Sequence, residues 1–189
     1  MIETTFISAA VVAIAEIGDK TQLLAIVLAA RFRKPGTVIL GILAATLLNH
    51  ALAATLGFLV AQWLSGLWFQ VAVGAGFVAM AGWALIPDKE DEDAAARSRG
   101  GVFLATLVDF FLVEIGDKTQ IATSLLAARF GDIVFVTLGT TLGMMAANIP
   151  AVLVGEAATR VVPLKAVRII AAVLFAVIGL WVLASALLQ

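Results

Sequence analysis

The seven-residue stretch Glu-Ile-Gly-Asp-Lys-Thr-Gln occupies positions 16–22 and occurs again, letter for letter, at positions 114–120. Each copy places two acids and a lysine inside a long apolar run, which predicts charged residues within a membrane helix. An ionisable residue at the centre of such a helix opposes membrane insertion by roughly 2.5–3.5 kcal/mol. Because residues this unfavourable in a membrane usually serve a function, the two copies are the first candidates for a site.

The composition is that of a membrane protein. Of the 189 residues, 62% are hydrophobic, whereas soluble domains are about half apolar. The net charge of −1 gives no indication of a nucleic-acid partner. The absence of cysteine excludes disulfides and thiolate metal sites. The N-terminus shows no basic segment and no small-residue cleavage site, so we expect the first apolar segment to remain as a membrane span.

Six apolar segments are each long enough for a membrane span, which needs about 20 residues. They cover roughly residues 5–30, 37–63, 67–86, 102–128, 133–158 and 169–188. The stretch at 88–100 is acidic and polar, and it reads as a solvated linker. The sequence therefore predicts an all-α membrane protein with six transmembrane helices.

The duplication extends beyond the motif. At the same offset of 98 residues, Ala29–Phe32 matches Ala127–Phe130, and Trp83 matches Trp181. We therefore predict two three-helix repeats, at 1–87 and 101–189, joined by the linker at 88–100. An odd number of spans per repeat inverts the second repeat, and transporters built on this plan bind their substrate near the membrane midplane.

The basic residues predict the orientation. With six spans, nine lysines and arginines lie on the face that carries the linker, and only Arg129 lies on the other face. Basic residues concentrate on the cytoplasmic side. The linker is therefore expected in the cytoplasm, with the N- and C-termini outside.

Within each copy, helical geometry places the charged residues together. Glu16, Asp19 and Lys20 share one helix face, and Gln22 extends it. Thr21 points away from this face unless the helix breaks. A break is expected here because glycine weakens a helix interior, and unwound carbonyl groups would then be available as ligands. A purely structural alternative is that the charged pairs hold helices together.

The charges of both copies suit a divalent cation. Four carboxylates and two ammonium groups sum to −2, which one divalent cation balances. The predicted metal ligands are Glu16, Asp19, Glu114 and Asp117, and the predicted supporting residues are Lys20, Lys118, Gln22, Gln120, Asn49 and Asn148. Oxygen ligands suit Ca²⁺, Mn²⁺ or Mg²⁺. Because a dry environment favours the protonated carboxylic acid, protons can replace the metal.

Three other polar positions leave alternatives open. Asn49 and Asn148 can support the site or form interhelical hydrogen bonds. His50 lies at the repeat position equivalent to Asn148; we favour a hydrogen-bonded packing role over a proton relay. Asp109, whose repeat counterpart is Val11, can line an access path or be a water-exposed acid at the start of a span.

The doubled Glu-x-Gly-Asp-Lys-Thr motif, on the first and fourth of six spans, closely resembles the small calcium/manganese–proton antiporters of bacterial, chloroplast and Golgi membranes (uncharacterised protein family 0016). The resemblance covers essentially the whole chain. It implies export of Mn²⁺ or Ca²⁺ from the cytosol in exchange for protons, with Glu16, Asp19, Glu114 and Asp117 as the cation site. Since the chain lacks the N-terminal extension of an organelle-targeted member, a bacterial manganese exporter in the inner membrane is expected.

Two other functions are compatible with the residues. The acids could form the selectivity filter of a divalent-cation channel, or the protein could export a small organic cation. An enzyme is not expected, because the sequence shows no nucleophile–base pair. The expected partners are the transported metal ion, protons and the lipid bilayer, without nucleic acid and without a permanently bound cofactor. The sequence decides neither between Mn²⁺ and Ca²⁺ nor the oligomeric state.

Overall fold

The computed structural model describes residues 1–64, 66–86, 101–155 and 163–188. Within these residues it contains eight α-helices and no strand. In chain order they are α1 (Ile2–Glu16), α2 (Lys20–Phe32), α3 (Pro35–Trp63), α4 (Leu67–Ala84), α5 (Val102–Glu114), α6 (Lys118–Phe130), α7 (Ile133–Val154) and α8 (Leu164–Leu187). The all-α class is confirmed. The predicted linker at 88–100 lies outside the described residues.

The described helices fall into two length classes. Four of them, α3, α4, α7 and α8, are long and apolar enough to cross a membrane individually. The helices α1, α2, α5 and α6 have only 13 to 15 residues each. At a rise of 1.5 Å per residue they are about 20 Å long, which is less than the hydrocarbon core of about 30 Å. The short helices occur as two consecutive pairs, one pair for each copy of the motif.

Each copy of the motif interrupts the helix that contains it. Three residues separate α1 from α2, and three separate α5 from α6. At the centre of each break lies a glycine with positive φ, Gly18 at 80° and Gly116 at 77°. Residues with a Cβ adopt this left-handed conformation only at a cost, whereas glycine adopts it freely. The break that the glycines predicted is confirmed at both positions.

The duplication is visible in the helix boundaries and in the packing. Helices α2 and α6 begin and end at equivalent positions of the repeat, 98 residues apart. Helix α1 packs against α7, and its equivalent α5 packs against α3. Likewise α2 contacts α7, and α6 contacts α3. Because the short helices of each half pack on the long helix of the other, both breaks lie inside the same bundle.

Small residues allow these helices to approach closely. A Cβ added at Gly139 or Gly143 of α7 would contact the main-chain carbonyls of Thr5 and Ala9 in α1. In the other half, a Cβ at Gly41 of α3 would meet the side chain of Thr106 in α5. Association through small residues is typical of helices in membranes, where lipid removes the hydrophobic drive for packing.

Helices α4 and α8 pack against each other at the side of this bundle. The rings of Phe77 and Phe175 stack between them, with centroids 6.5 Å apart. Helix α4 also packs against α6, and α8 packs against α1. Each of the two thus contacts one of the short helices in the opposite half. Large apolar side chains remain exposed along the outer helices, as expected for a surface covered by lipid.

Candidate cation site

Carboxylates from both copies of the motif meet where the helices break. Oxygen atoms of Glu16, Asp19 and Asp117 lie within 4.8 Å of one another, so these three side chains could hold one metal ion. All three are buried, with at most 3% of the side chain exposed. The fourth acid, Glu114, is also fully buried. Because the acids come from both halves, the site forms only when the two halves are packed together.

The breaks explain why the acids converge. Glu16 and Glu114 are the last residues of α1 and α5, and Asp19 and Asp117 immediately precede α2 and α6. In each copy the aspartate N–H donates a hydrogen bond to the glutamate carbonyl, at 3.0 Å in the first copy and 3.1 Å in the second. This bond folds each break into a tight turn. The positive ends of the α2 and α6 dipoles also lie next to the acids, which favours negative charge there.

A glutamine closes each break. The N–H of Gly18 donates to Gln22 Oε1 at 2.8 Å, and the N–H of Gly116 donates to Gln120 Oε1 at 2.7 Å. Interruption of a helix leaves backbone groups without their usual partners. The two glutamines satisfy one such group in each break, which accounts for a glutamine at the last position of the repeated stretch.

The same glutamines also tie each break to the other half of the molecule. Gln22 Nε2 donates to the carbonyl of Ala147 in α7 at 3.1 Å. Gln120 Nε2 donates to Asn49 Oδ1 in α3 at 3.2 Å, and Asn49 in turn donates to the carbonyl of Phe111 in α5 at 3.0 Å. The predicted supporting residues Gln22, Gln120 and Asn49 therefore all lie beside the acids.

Both lysines of the motif lie at the breaks. Lys20 Nζ lies 3.1 Å from Asp117 Oδ1, which joins the first copy of the motif to the second. Lys118, only 6% exposed, donates to the carbonyl of Ile86 at 3.0 Å, just beyond the end of α4. An ammonium group beside the acid cluster reduces the cost of burying several carboxylates together.

Thr119 is a site residue that the helical-face prediction did not include. Its hydroxyl donates to Glu114 Oε1 at 2.6 Å and lies 3.2 Å from Asp117 Oδ2. On an uninterrupted helix this side chain would point away from the acids, but the break at Gly116 turns it toward them. The signal for this contact was the glycine in the middle of the motif, since the threonine faces the acids only if the helix breaks.

His50 and Asn148 occupy equivalent repeat positions and lie beside equivalent acids. Asn148 Nδ2 donates to Glu16 Oε1 at 3.3 Å. His50 Nε2 lies 3.6 Å from Glu114 Oε1, and the imidazole is fully buried. The sequence identified Asn148 as a supporting residue, but gave His50 no partner among the acids. The repeat register contained that information, because it places His50 opposite Asn148.

Asp109 is also buried, with 3% of its side chain exposed, in α5 five residues before Glu114. Its burial does not fit the alternative of a water-exposed acid, and its role on an access path stays a prediction. A separate small cavity of about 20 Å³ reaches the site from the end of α4 and the start of α8. Asp19 and Lys118 line it together with Ala84 and Arg168. Such a volume is about that of one water molecule.

The chain is similar to known transport proteins over most of its length. A family model described as "Divalent cation/proton antiporter GDT1" matches residues 4–92 and 102–189. A Vibrio cholerae protein named "Putative manganese exporter" is 50% identical over 175 residues, which cover 92% of this chain and 87% of that protein. A GDT1-like protein of Synechocystis is 28% identical over 194 residues, covering 90% of this chain and 93% of the relative. No solved structure gave a match.

These matches agree with the resemblance seen in the doubled motif, and the matched regions contain both of its copies. The family is one of transporters, which agrees with the apolar helices. The protein is therefore an integral membrane protein, and the chain belongs to the GDT1 family of divalent cation/proton antiporters.

Proposed function

We propose that this protein exports a divalent cation, Mn²⁺ or Ca²⁺ or both, from the cytosol in exchange for protons. The observation that carries the proposal is the buried cluster of Glu16, Asp19 and Asp117, formed by acids of both motif copies. Carboxylate oxygens are the ligands that these cations prefer. The name of the Vibrio cholerae relative supports manganese as one of the transported ions.

The transporter has six spans arranged as two inverted three-span repeats, at 1–87 and 101–189. In this arrangement α1 and α2 form one broken span, and α5 and α6 form another. Their lengths support the pairing, because each short helix alone falls short of the membrane thickness. Broken helices that bring polar groups to the midplane are typical of transporters with inverted repeats.

Charge balance accounts for the exchange of a metal for protons. With Lys20 and Lys118 charged, the four acids leave a net charge of −2, which either one divalent cation or two protons neutralise. Separated charges in a dry site are strongly unfavourable, so the site is occupied by one or the other. Lys20, at 3.1 Å from Asp117, balances part of the negative charge of the metal-free site and competes with the incoming metal.

Access alternates between the two sides of the membrane. The positive-inside rule places the end of α4 and the start of α8 at the cytoplasmic face. The cavity lined by Asp19 and Lys118 lies on that side. Toward the other face, α4 packs against α6 and α8 packs against α1. We therefore expect this state to receive the cation from the cytoplasm, and we expect both chain termini outside and the bacterial inner membrane as the location.

Transport measured in reconstituted vesicles tests the proposal. Vesicles carry a Mn²⁺-sensitive dye and, in parallel samples, a pH-sensitive dye. We expect Mn²⁺ movement to be driven by a proton gradient and to move protons in the opposite direction. Glu16→Gln removes one cluster acid and should abolish both signals.

Glu3→Gln is the matched control, because it makes the same chemical change at an exposed residue near the start of α1. It should transport as the unaltered protein does. Metal flux that neither requires nor moves protons would indicate a channel and contradict the proposal. The same assay with Ca²⁺, or with a small organic cation in place of the metal, identifies the substrate class.

A further inference from the structure

The chain contains a single histidine, His50, which lies in α3 and is fully buried. Its Nε2 is 3.6 Å from Glu114 Oε1. This distance is too long for a hydrogen bond, for which nitrogen–oxygen distances of about 2.7–3.2 Å are usual. The pair is therefore close without being bonded, inside a protein where buried polar groups normally have partners.

The separation fits two ligands of one metal ion. Divalent cations bind their ligands at about 2.0–2.6 Å, which places neighbouring ligand atoms roughly 2.8–3.7 Å apart at right angles. The His50–Glu114 distance of 3.6 Å lies within this range.

Other buried atoms around the acids that could bind a metal also lack hydrogen-bond partners. Neither ring nitrogen of His50 has a hydrogen-bond partner among the described residues, and the same holds for Glu114 Oε2. On the first copy's side, Asn148 Oδ1 is buried and likewise lacks a partner within the described ranges. The hydrogen-bonded packing role that we favoured from the sequence is therefore not seen for His50 among the described residues, and unsatisfied polar groups are unfavourable in a dry interior. A bound cation would satisfy them.

We propose that His50 binds the transported cation when the ion contacts Glu114, and that this nitrogen ligand makes the site prefer Mn²⁺ to Ca²⁺. This inference rests on the proposed function. Ca²⁺ is bound by oxygen atoms, whereas imidazole nitrogen suits first-row transition metals. Asn148, at the equivalent position beside Glu16, offers oxygen in place of nitrogen. One nitrogen among several oxygens adds affinity for Mn²⁺ while leaving the ligand set suitable for a hard cation.

Pulsed electron paramagnetic resonance of bound Mn²⁺ tests the coordination directly. Because His50 is the only histidine, an imidazole nitrogen coupled to Mn²⁺ in the purified chain, free of any polyhistidine tag, can come from no other residue. We expect this coupling in the unaltered protein, and we expect its frequencies to change when histidine alone is labelled with ¹⁵N. Bound Mn²⁺ without imidazole coupling would overturn the inference without any variant having been made.

Selectivity is tested with His50→Asn, which places the residue of the other half at this position. We expect its affinity for Mn²⁺ to fall by about tenfold, the lower end of losses seen when a group supporting a metal site is removed. Its affinity for Ca²⁺ should change much less. An equal loss for both ions would contradict a role in selectivity.

The two proposals fail separately. If the unaltered protein shows imidazole coupling but moves no metal against protons, the antiport proposal fails and the ligand assignment stands. If transport occurs but the Mn²⁺ signal lacks imidazole coupling, the ligand assignment fails and the antiport proposal stands.

Discussion

The two copies of the motif have the same sequence but different surroundings. In the first copy, Glu16 and Asp19 both join the three-acid cluster. In the second copy only Asp117 belongs to that cluster, while Glu114 accepts a hydrogen bond from Thr119 and lies beside His50. An identical sequence therefore occupies two arrangements, and the difference must come from the helices around it.

The neighbouring helices supply one such difference. The residue facing the glutamate is Asn148 in the first copy and His50 in the second. Because this difference lies in the sequence, it makes the surroundings of the two glutamates chemically distinct in any conformation.

The largest effect of this asymmetry is expected when the two equivalent glutamates are neutralised one at a time. Glu16→Gln removes a member of the three-acid cluster, and loss of one partner in a buried ionic group costs about 3–5 kcal/mol. We expect the affinity for Mn²⁺ to fall by about 100-fold or more, since each 1.4 kcal/mol is a factor of ten. Glu114→Gln should lower the affinity for Mn²⁺ by only about tenfold, because this acid lies outside the three-acid cluster. Calorimetric titration of the purified variants, with Glu3→Gln as the control, measures both. Equal losses would show that the asymmetry does not affect binding.

Replacing the two threonines by valine tests the same comparison through stability. Thr119 donates to Glu114 at 2.6 Å, and a hydrogen bond to a charged group is worth about 1.5–3 kcal/mol. The hydroxyl of Thr21 is buried and has no hydrogen-bond partner in the described part of the chain. Thr119→Val should therefore lower the unfolding temperature in detergent, whereas Thr21→Val should leave it unchanged or raise it. A reversed order would mean that the empty protein in solution rests in the opposite arrangement.

Much of this fold could be predicted from the sequence, because the signals are local. The apolar runs, the duplicated motif and Gly18 with Gly116 were sufficient for an all-helical membrane bundle with a break in each copy. A glycine can be recognised as a helix break wherever it stands, since the reason lies in its own backbone freedom. The interlocked packing of α1 on α7 and α5 on α3 is a property of the whole bundle. It does not follow from any single segment.

The acids of the candidate site were predicted from the sequence, but the different surroundings of the two motif copies were not. Glu16, Asp19 and Asp117 were found because charge in an apolar run is conspicuous. Thr119 and the contact of His50 with Glu114 were missed, since each depends on how a break rotates a side chain toward another helix. Two identical stretches give identical predictions, so no reading of the motif alone could distinguish its two environments.

Removing the charge of a motif lysine should have a smaller effect on the affinity for Mn²⁺. Lys20→Met keeps the length of the side chain but removes the ammonium group beside Asp117. Since this group competes with the metal, its loss should raise the affinity for Mn²⁺ by about tenfold, corresponding to a charged hydrogen bond of about 1.5 kcal/mol. Lys118→Met makes the same change in the second copy, where the ammonium group donates to the carbonyl of Ile86. The same titration measures both, and weaker binding in Lys20→Met would refute competition between lysine and metal.

The smallest difference concerns the two glycines of the breaks. Gly18→Ala and Gly116→Ala each place a residue with a Cβ in the left-handed backbone conformation, which costs about 1–2 kcal/mol of stability. A Cβ at Gly18 would in addition contact the side chain of Leu164 in α8, whereas a Cβ at Gly116 meets no atom within 4 Å among the described residues. Gly18→Ala should therefore lower the unfolding temperature more than Gly116→Ala does.

The double variant Gly18→Ala with Leu164→Ala separates the two causes. It removes the contact and keeps the backbone strain, so the cost of Gly18→Ala in the Leu164→Ala background should fall to that of Gly116→Ala alone. Two substitutions in contact are expected to be non-additive, and the size of that non-additivity is the energy of the clash. If the costs add instead, α8 does not press on the first break. The asymmetry between the copies would then have to arise from His50 and Asn148 alone.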